Sequence, residues 1–455
     1  MAYYILKSYK LKLDPLAIFD MLSIKKNCFF LDSSLRTKAL GRYSFLGVEP
    51  FFTLTAYDRN PFGRLKELLG EYRFSSPPAE LPLFGAAVGY LAYDLGFILE
   101  HKINVRNKPD PGIANCYFGF YNTVVGIDHW KRKLHICAVG FPEKKSYLAA
   151  ALCRENLKRL ESLLSGLNAR PRPKRDSPQK IPPKLESDLE KKDYINAVSK
   201  AKGYIKAGDI YQVNLSQRFQ AKTPLGSAEL YRRLRKISPS FFSAYFDAGN
   251  WQIISSSPER FLKLEGDLVT TRPMKGTRPR GINSREDRRL KAQLLKSAKD
   301  KAELVMIVDL ERNDLGKVCG YDTVRVDTLR QLERYSTVFQ TTATVSGKLH
   351  KNKDRIDLLR ACFPGGSITG CPKIRAMEII EELEPNRRSI YTGCLGYLSF
   401  AGGMDFNILI RSILKKQERI FFGVGAGIVA DSNPESEYLE TMVKAKAILQ
   451  ALNRV

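Results

Sequence analysis

The sequence predicts an α+β fold, of a length that allows one elaborate domain or two to three smaller ones, and three observations carry the fold class. Over roughly the first 140 residues, short apolar runs such as Cys28 to Ser33 and Phe51 to Thr55 alternate with turn residues, which reads as β-rich. From Lys144 to Leu164, leucines 148, 152, 157, 160 and 164 recur at helical spacing. Further on, Ile210 to Phe219 alternates with a period of two, directly after an amphipathic run.

Composition sets the outer limits. A chain of 455 residues, 44% of them hydrophobic, can bury a large core. No run of eighteen apolar residues occurs, and the start, Met1 to Lys7, lacks a signal or transit pattern, so a cytoplasmic protein with no membrane association is expected. Eight cysteines are scattered without a C-x-x-C pair, and the four histidines are not spaced to join them, which argues against zinc and for reduced core thiols. The formal charge of +26 suits acidic partners. Basic residues are spread along the chain with no nucleic-acid module, so small anions are favoured over nucleic acid.

Taken in order, residues 1–165 form the β-rich part closed by the helix at 144 to 164. Residues 166–190 hold five prolines among six basic side chains and predict a linker or surface loop. Residues 191–455 open with a helix capped by Asp193 and ended by Gly208. The strand at 210 to 219 carries Gln212, Asn214, Ser216 and Arg218 on one face, which either meets solvent or lines a polar cavity. Asp267 to Thr271 reads as a strand stopped by Pro273, so that Met274 and Lys275 are expected on a tight loop closed by Gly276. Arginines 272, 278 and 280 crowd Lys275 and disfavour its protonation, which is what a lysine nucleophile needs.

Residues 287 to 311 read as one helix with Asp287 as a cap, and it holds Glu303 against the apolar run 304 to 308. A carboxylate placed there calls for a cation. In the last helix, begun by Asn433 and Pro434, Glu437, Glu440 and Lys444 share one face. Carboxylates from two helices can hold Mg2+, while a plain Glu440–Lys444 surface pair is the alternative. Pro364 to Gly370 runs toward Pro372, a good helix start, and predicts free amides at a helix N-terminus. Gly423 to Ile428 follows the strand-like Arg419 to Phe422 and offers further amides, and Arg411, on an expected strand 406 to 414, adds a fixed cation. Together these describe a pocket for a small polyanion.

The runs Ile210 to Leu215, Ser257 to Phe261, Pro273 to Thr277, Asp309 to Leu315, Gly370 to Lys373, Gly425 to Gly427 and the closing Glu437, Glu440, Lys444 pattern resemble the chorismate-utilising enzymes. The resemblance spans essentially 190 to 450, and more loosely Gly41 to Gly47 and Gly89 to Asp94. It implies an α/β sandwich of two large, mainly antiparallel sheets with helices outside. It also implies Mg2+ held by Glu303, Glu440 and Glu437, beneath the ring carboxylate of chorismate. Arg411, Tyr391 and the amides of Gly425 and Gly427 would meet the enolpyruvyl carboxylate, with Thr369, Gln212 and Lys444 as further substrate contacts.

Within that family the pattern is most similar to the branch that makes 4-amino-4-deoxychorismate for 4-aminobenzoate and folate. Lys275 carries this, since the anthranilate branch places alanine there. By the same resemblance Lys275 is the covalent nucleophile and Glu259 the general acid and base. Gln212 stands where water-adding relatives carry lysine. Gln340 replaces a histidine associated with the anthranilate branch. No glutaminase signature occurs, so ammonia is expected from a separate glutamine amidotransferase subunit. Leu31 to Ser34 resembles a tryptophan-site motif, with Asp32 where glutamate is usual, which makes tryptophan a further expected ligand. The alternatives are an anthranilate synthase component I and, from another class, a non-catalytic basic binding protein.

Overall fold

Twenty-two strands among the described residues, many of them covered on both faces, sort into two sheets. In the computed structural model, which describes residues 3–37, 40–74, 81–101, 103–105, 111–166, 184–335 and 338–453, these are a 12-stranded and a 10-stranded sheet. Every strand pair described is antiparallel, as in Phe29–Asp32 on Phe242–Asp247 and Ala86–Leu91 on Cys394–Ser399. Both examples join the first 165 residues to the part beyond 190, so each sheet draws strands from both sides of the linker.

Three apolar layers follow from this pairing. Between the sheets, Phe29, Phe45, Phe246 and Ile253 of the larger meet Val88, Tyr90, Tyr117 and Tyr397 of the smaller. Outside the larger sheet pack the helices Pro15–Leu22, Ser146–Ser165, Ser227–Ile237 and Pro434–Asn453. Outside the smaller lie Phe62–Glu71, Ala298–Gly316 and Arg355–Cys362. The expected sandwich with external helices is the observed one. No helix among the described residues is long and apolar enough to cross a membrane. All eight cysteines are free, seven of them buried.

Several local expectations need correction. Most of the 166–190 segment lies outside the described residues, but Glu186–Ser187 pairs with Phe219–Gln220 as a short edge strand. Helix Lys191–Ala207 starts before Asp193, which sits in its first turn, and Gly208 closes it at φ +82°. The single helix expected over 287 to 311 is two, Ser284–Lys296 and Ala298–Gly316. Asn283 and Ser297 cap them, because each offers a short side-chain oxygen to an amide three residues on, whereas Asp287 is engaged by Arg280.

Lys275 is not on a loop. Pro273 does interrupt pairing, but the chain resumes as strand Met274–Pro279 against Val338–Lys348, with a register shift between Lys275 and Thr277. Gly276, at φ +73°, supplies the left-handed backbone of that bulge. The strand Arg419–Ile428 likewise runs straight through its glycines instead of ending before them. The Pro364 to Gly370 loop makes a 3-10 turn, Gly366–Ile368, and a two-residue strand, Gly370–Cys371, before helix Lys373–Leu383, so its amides are not that helix's N-terminus. Arg411 lies outside any strand, at a bend with φ +52° between Met404–Ile408 and Ser412–Lys416.

Candidate active site

Two chain crossings between the sheets position the first pair of groups. Strand Gln252–Ser257 belongs to the larger sheet and Arg260–Glu265 to the smaller, and Glu259 sits in the step between them. Met404–Ile408 and Ser412–Lys416 make the return crossing, with Arg411 in its step. The crossings are stitched together by Ile408 N–H donating to Glu259 C=O at 3.1 Å and Ser256 N–H donating to Arg411 C=O at 3.1 Å. Glu259, 4% exposed, accepts from Ser367 Oγ at 2.6 Å. Burial pushes its carboxyl up to about 7, against the pull of Ser367, Lys275, the Met274 amide and Lys444. At neutral pH it is poised to hold or release a proton.

Lys275 reaches in from the smaller sheet. Its Nζ donates to Ser367 C=O at 3.3 Å and has no ion-pair partner among the described residues. Some of its surface remains accessible, but protein surrounds it, and that burial lowers its pKa from the ordinary value. Glu303 and Glu259 oppose this, while Lys444 reinforces it. The amine stands over Gly427, where a Cβ would fall 3.4 Å from Nζ and 2.9 Å from Gln212 Nε2. Any side chain at 427 would therefore enter the space between them.

The polar face at the start of strand Gln212–Lys222 is buried rather than turned to solvent: Gln212 is 0% and Asn214 8% exposed. Neither amide atom of Gln212 nor Asn214 Oδ1 has a hydrogen-bond partner. Buried polar atoms left this way are rare unless a ligand or water completes them. Opposite, Asn214 pairs with Gly427 and Ser216 with Gly425. Gly425 C=O accepts from Lys444 Nζ at 2.8 Å, on the edge facing away from strand 212–222. In an extended strand N–H and C=O of one residue share an edge, so the amides of Gly425 and Gly427 point to that same side.

Arg411 has no ion-pair partner among the described residues, and burial lowers its pKa, opposed by Tyr335 and Glu259. Tyr391, 9% exposed, packs its ring on Gly423, where no Cβ would fit. Thr369 is fully buried, but its hydroxyl donates to Gly365 C=O at 2.9 Å, so it braces the loop.

Sequence reasoning missed Arg388. It is bonded to Glu384, to the carbonyls of Asn214 and Ile368 and to Thr392, with its guanidinium over the rings of Tyr93 and Tyr391. It thus ties the glycine loop, the polar strand and Tyr391 into one frame. The Glu384-x-x-x-Arg388 spacing was the available signal.

The three carboxylates expected to hold a metal do not converge. No group of three acidic, histidine or cysteine side chains among the described residues is arranged to hold an ion. Instead, Lys299 Nζ stands 3.9 Å from Glu303 and 3.7 Å from Glu437, and Glu440 pairs with Lys444 at 2.7 Å. Burial raises the pKa of Glu303 against the pull of Lys275 and Lys299. Desolvation would raise Glu440 too, but Lys444, Lys275 and Lys299 hold it below its ordinary value. An ammonium stands between two of the carboxylates, and carboxylate oxygens are the donor type that suits Mg2+.

A separate cavity of ≈ 320 Å³ lies between the sheets at the N-terminal part, lined by Asp32, Ser33, Tyr43, Phe241 and Tyr397 among others. This is where the tryptophan expectation falls. Both oxygens of Asp32 are already engaged, by Ser44 at 3.1 Å and by Tyr231 at 2.9 Å together with Arg235.

Residues 26–450 match the model of the chorismate binding enzyme family. The chain belongs to that family. It is 38% identical to anthranilate synthase component 1 of Acetivibrio thermocellus, over 96% of this chain and 92% of that one. It is 43% identical to the anthranilate synthase component I-like protein of Synechocystis sp., over 82% and 74%. The crystal structure of anthranilate synthase component I from Streptococcus pneumoniae TIGR4 superposes with a TM-score of 0.79 at 31% identity, covering 91% of this chain and 93% of that one. The isochorismate synthase MenF from Escherichia coli, at 18% identity and a TM-score of 0.75, shares the fold.

Proposed function

We propose that this family member is an aminodeoxychorismate synthase component I, which converts chorismate and ammonia to 4-amino-4-deoxychorismate. The observation that supports this is Lys275, an amine of lowered pKa over Gly427 with no ion-pair partner among the described residues, sharing Ser367 with a general acid poised near neutrality. Nitrogen must end on C4, the carbon that loses the hydroxyl. Lys275 attacks C2, the ring double bonds shift, and the C4 hydroxyl leaves as water with the proton of Glu259. Ammonia then adds at C4, the double bonds shift back, Lys275 departs as the free amine, and the Glu259 carboxylate recovers its proton from the entering nitrogen.

Arg411 and the Gly425 and Gly427 amides suit one substrate carboxylate, with Tyr391 beside them. Glu303, Glu437 and Glu440 would hold Mg2+, which neutralises the ring carboxylate when bound. Ammonia would come from a glutamine amidotransferase subunit, in keeping with relatives named as components.

A second reading is anthranilate synthase component I, and the relatives' names favour it over the 4-amino reading. The two separate in one assay: purified chain with chorismate, Mg2+ and ammonium, with and without a lyase that converts 4-amino-4-deoxychorismate to 4-aminobenzoate. Lyase-dependent 4-aminobenzoate is the expected outcome. Fluorescent anthranilate without the lyase would establish the second reading instead, and no turnover of chorismate would leave a binding protein.

For the metal, Glu303→Gln is expected to cost more than the roughly 10–100-fold that an outer-shell change costs a metal site. Equilibrium dialysis with Mg2+, beside turnover, checks it. A variant with wild-type Mg2+ affinity and rate would refute the assignment.

A further inference from the structure

One buried carboxyl has no part in the steps above. Helix Ala298–Gly316 lies along the site, and Glu303, Ile307 and Glu311 fall on one stripe, each about 40° from the last. Glu303 serves the Lys275 end. Glu311, two turns on and 8% exposed, accepts from Thr271 Oγ1 at 2.9 Å. Thr271 lies three residues before Met274, whose amide donates to Glu259. The two carboxyls therefore flank the same short stretch of backbone.

The groups facing Glu311 leave it without a bonded counter-charge. From the strand side come the Thr271 hydroxyl and the Glu259 carboxylate, and from its own helix Asp314. Lys373, at the start of helix Lys373–Leu383, pulls the Glu311 pKa down, but its ammonium is bonded to Asp314, as is Lys317 at 2.9 Å. The Cys362 thiol, from helix Arg355–Cys362, is the remaining neighbour. No ion pair to Glu311 exists among the described residues. Desolvation first, and then the nearby Glu259 carboxylate, push its pKa well above the ordinary value.

Resting on the general-acid role given to Glu259, we propose that Glu311 is a positioning residue that remains a neutral carboxylic acid throughout turnover. Held to Thr271, it fixes the backbone that carries the Met274 amide to Glu259. Being uncharged, it lets Glu259 become negative after proton transfer without a like charge beside it. An ionised Glu311 would oppose that step.

The test follows total chorismate consumption with ammonium, so that it reads the same whichever aminated product forms. Glu311→Gln keeps shape, neutrality and hydrogen bonding. It is expected to retain kcat within about 3-fold and leave the alkaline limb of the kcat/KM profile unmoved. Glu311→Leu is neutral but cannot bond Thr271, and should lose about 10-fold in kcat at unchanged KM, the scale of one well-placed hydrogen bond. Infrared difference spectra at neutral pH should show a protonated-carboxyl band in wild type that Glu311→Gln removes. Because this uses the soluble Gln variant, it stands even if the Leu variant fails to fold. A downward move of the alkaline limb in Glu311→Gln, the absence of that band, or wild-type kcat in Glu311→Leu would each overturn the proposal. Wild type that consumes no chorismate would instead refute the functional reading on which it rests.

Discussion

Lys275→Ala is expected to lose 4-amino-4-deoxychorismate formation by on the order of 10³-fold or more, within the roughly 10⁶-fold that loss of a covalent nucleophile can reach. Ammonia that enters directly puts nitrogen on C2, so residual turnover should shift toward the 2-amino compound. Lys275→Arg separates nucleophilicity from charge. Arginine keeps the cation and nearly the reach, but does not deprotonate, so it should be as inactive as alanine. An active arginine variant that still makes the 4-amino product would end the covalent route. Intact-mass analysis of wild type with chorismate and Mg2+, without ammonia, should find an adduct localised to Lys275.

Glu259→Gln should lower kcat by about 10²–10⁴-fold, the usual contribution of a positioned acid. In wild type the carboxyl is buried and holds its proton up to about 7, so activity that needs this proton should fall as pH rises through that value. Stability follows the same shift. The folded state binds this proton more tightly than the unfolded chain, whose ordinary value is 4.5, so the group's contribution declines as pH rises from 4.5 toward 7. Above that window an ionised Glu259 costs about 3 kcal/mol, as an order of magnitude. Glu259→Gln should thus melt higher than wild type at pH 8, with little gain at pH 4. Equal melting differences at the two pH values would show that Glu259 does not titrate as a buried acid.

Much of this was legible before any coordinates. Periodicity located the helices at 144 to 164 and 191 to 207, and the alternation of Gln212, Asn214 and Ser216 marked a polar face that proved to be buried beside Lys275 and Gly427. Local chemistry failed where a distant partner decided the outcome. Lys275 reads as a loop residue because Pro273 breaks pairing, yet strand Val338–Lys348, more than sixty positions on, recaptures the chain as a bulged strand. The glycines after Phe422 read as a loop until Gln212–Lys222 pairs with them throughout. Arg411 and Glu259 come together because two strand pairs change sheets side by side, which no spacing in the chain encodes. Arg388 was passed over because the carbonyls of Asn214 and Ile368 that it binds are not marked in a sequence, and the Glu384 spacing alone reads as an ordinary helix pair.

The way both sheets interleave early and late strands bears on how the protein is made. Ala86–Leu91 waits for Cys394–Ser399, roughly 300 residues later in the chain. Its other neighbour, Cys116–Tyr121, emerges early, but at about 5–20 residues per second on the ribosome one edge stays open for roughly 15–60 s. A fragment of residues 1–166 expressed alone should accordingly aggregate or stay unfolded rather than behave as a domain, and co-expression with 184–455 is the condition expected to rescue it. A soluble, cooperatively melting 1–166 fragment would contradict this. The same interleaving leaves early strand edges open until the last strands arrive, and the active site, whose residues run from Gln212 to Lys444, is among the final parts to form.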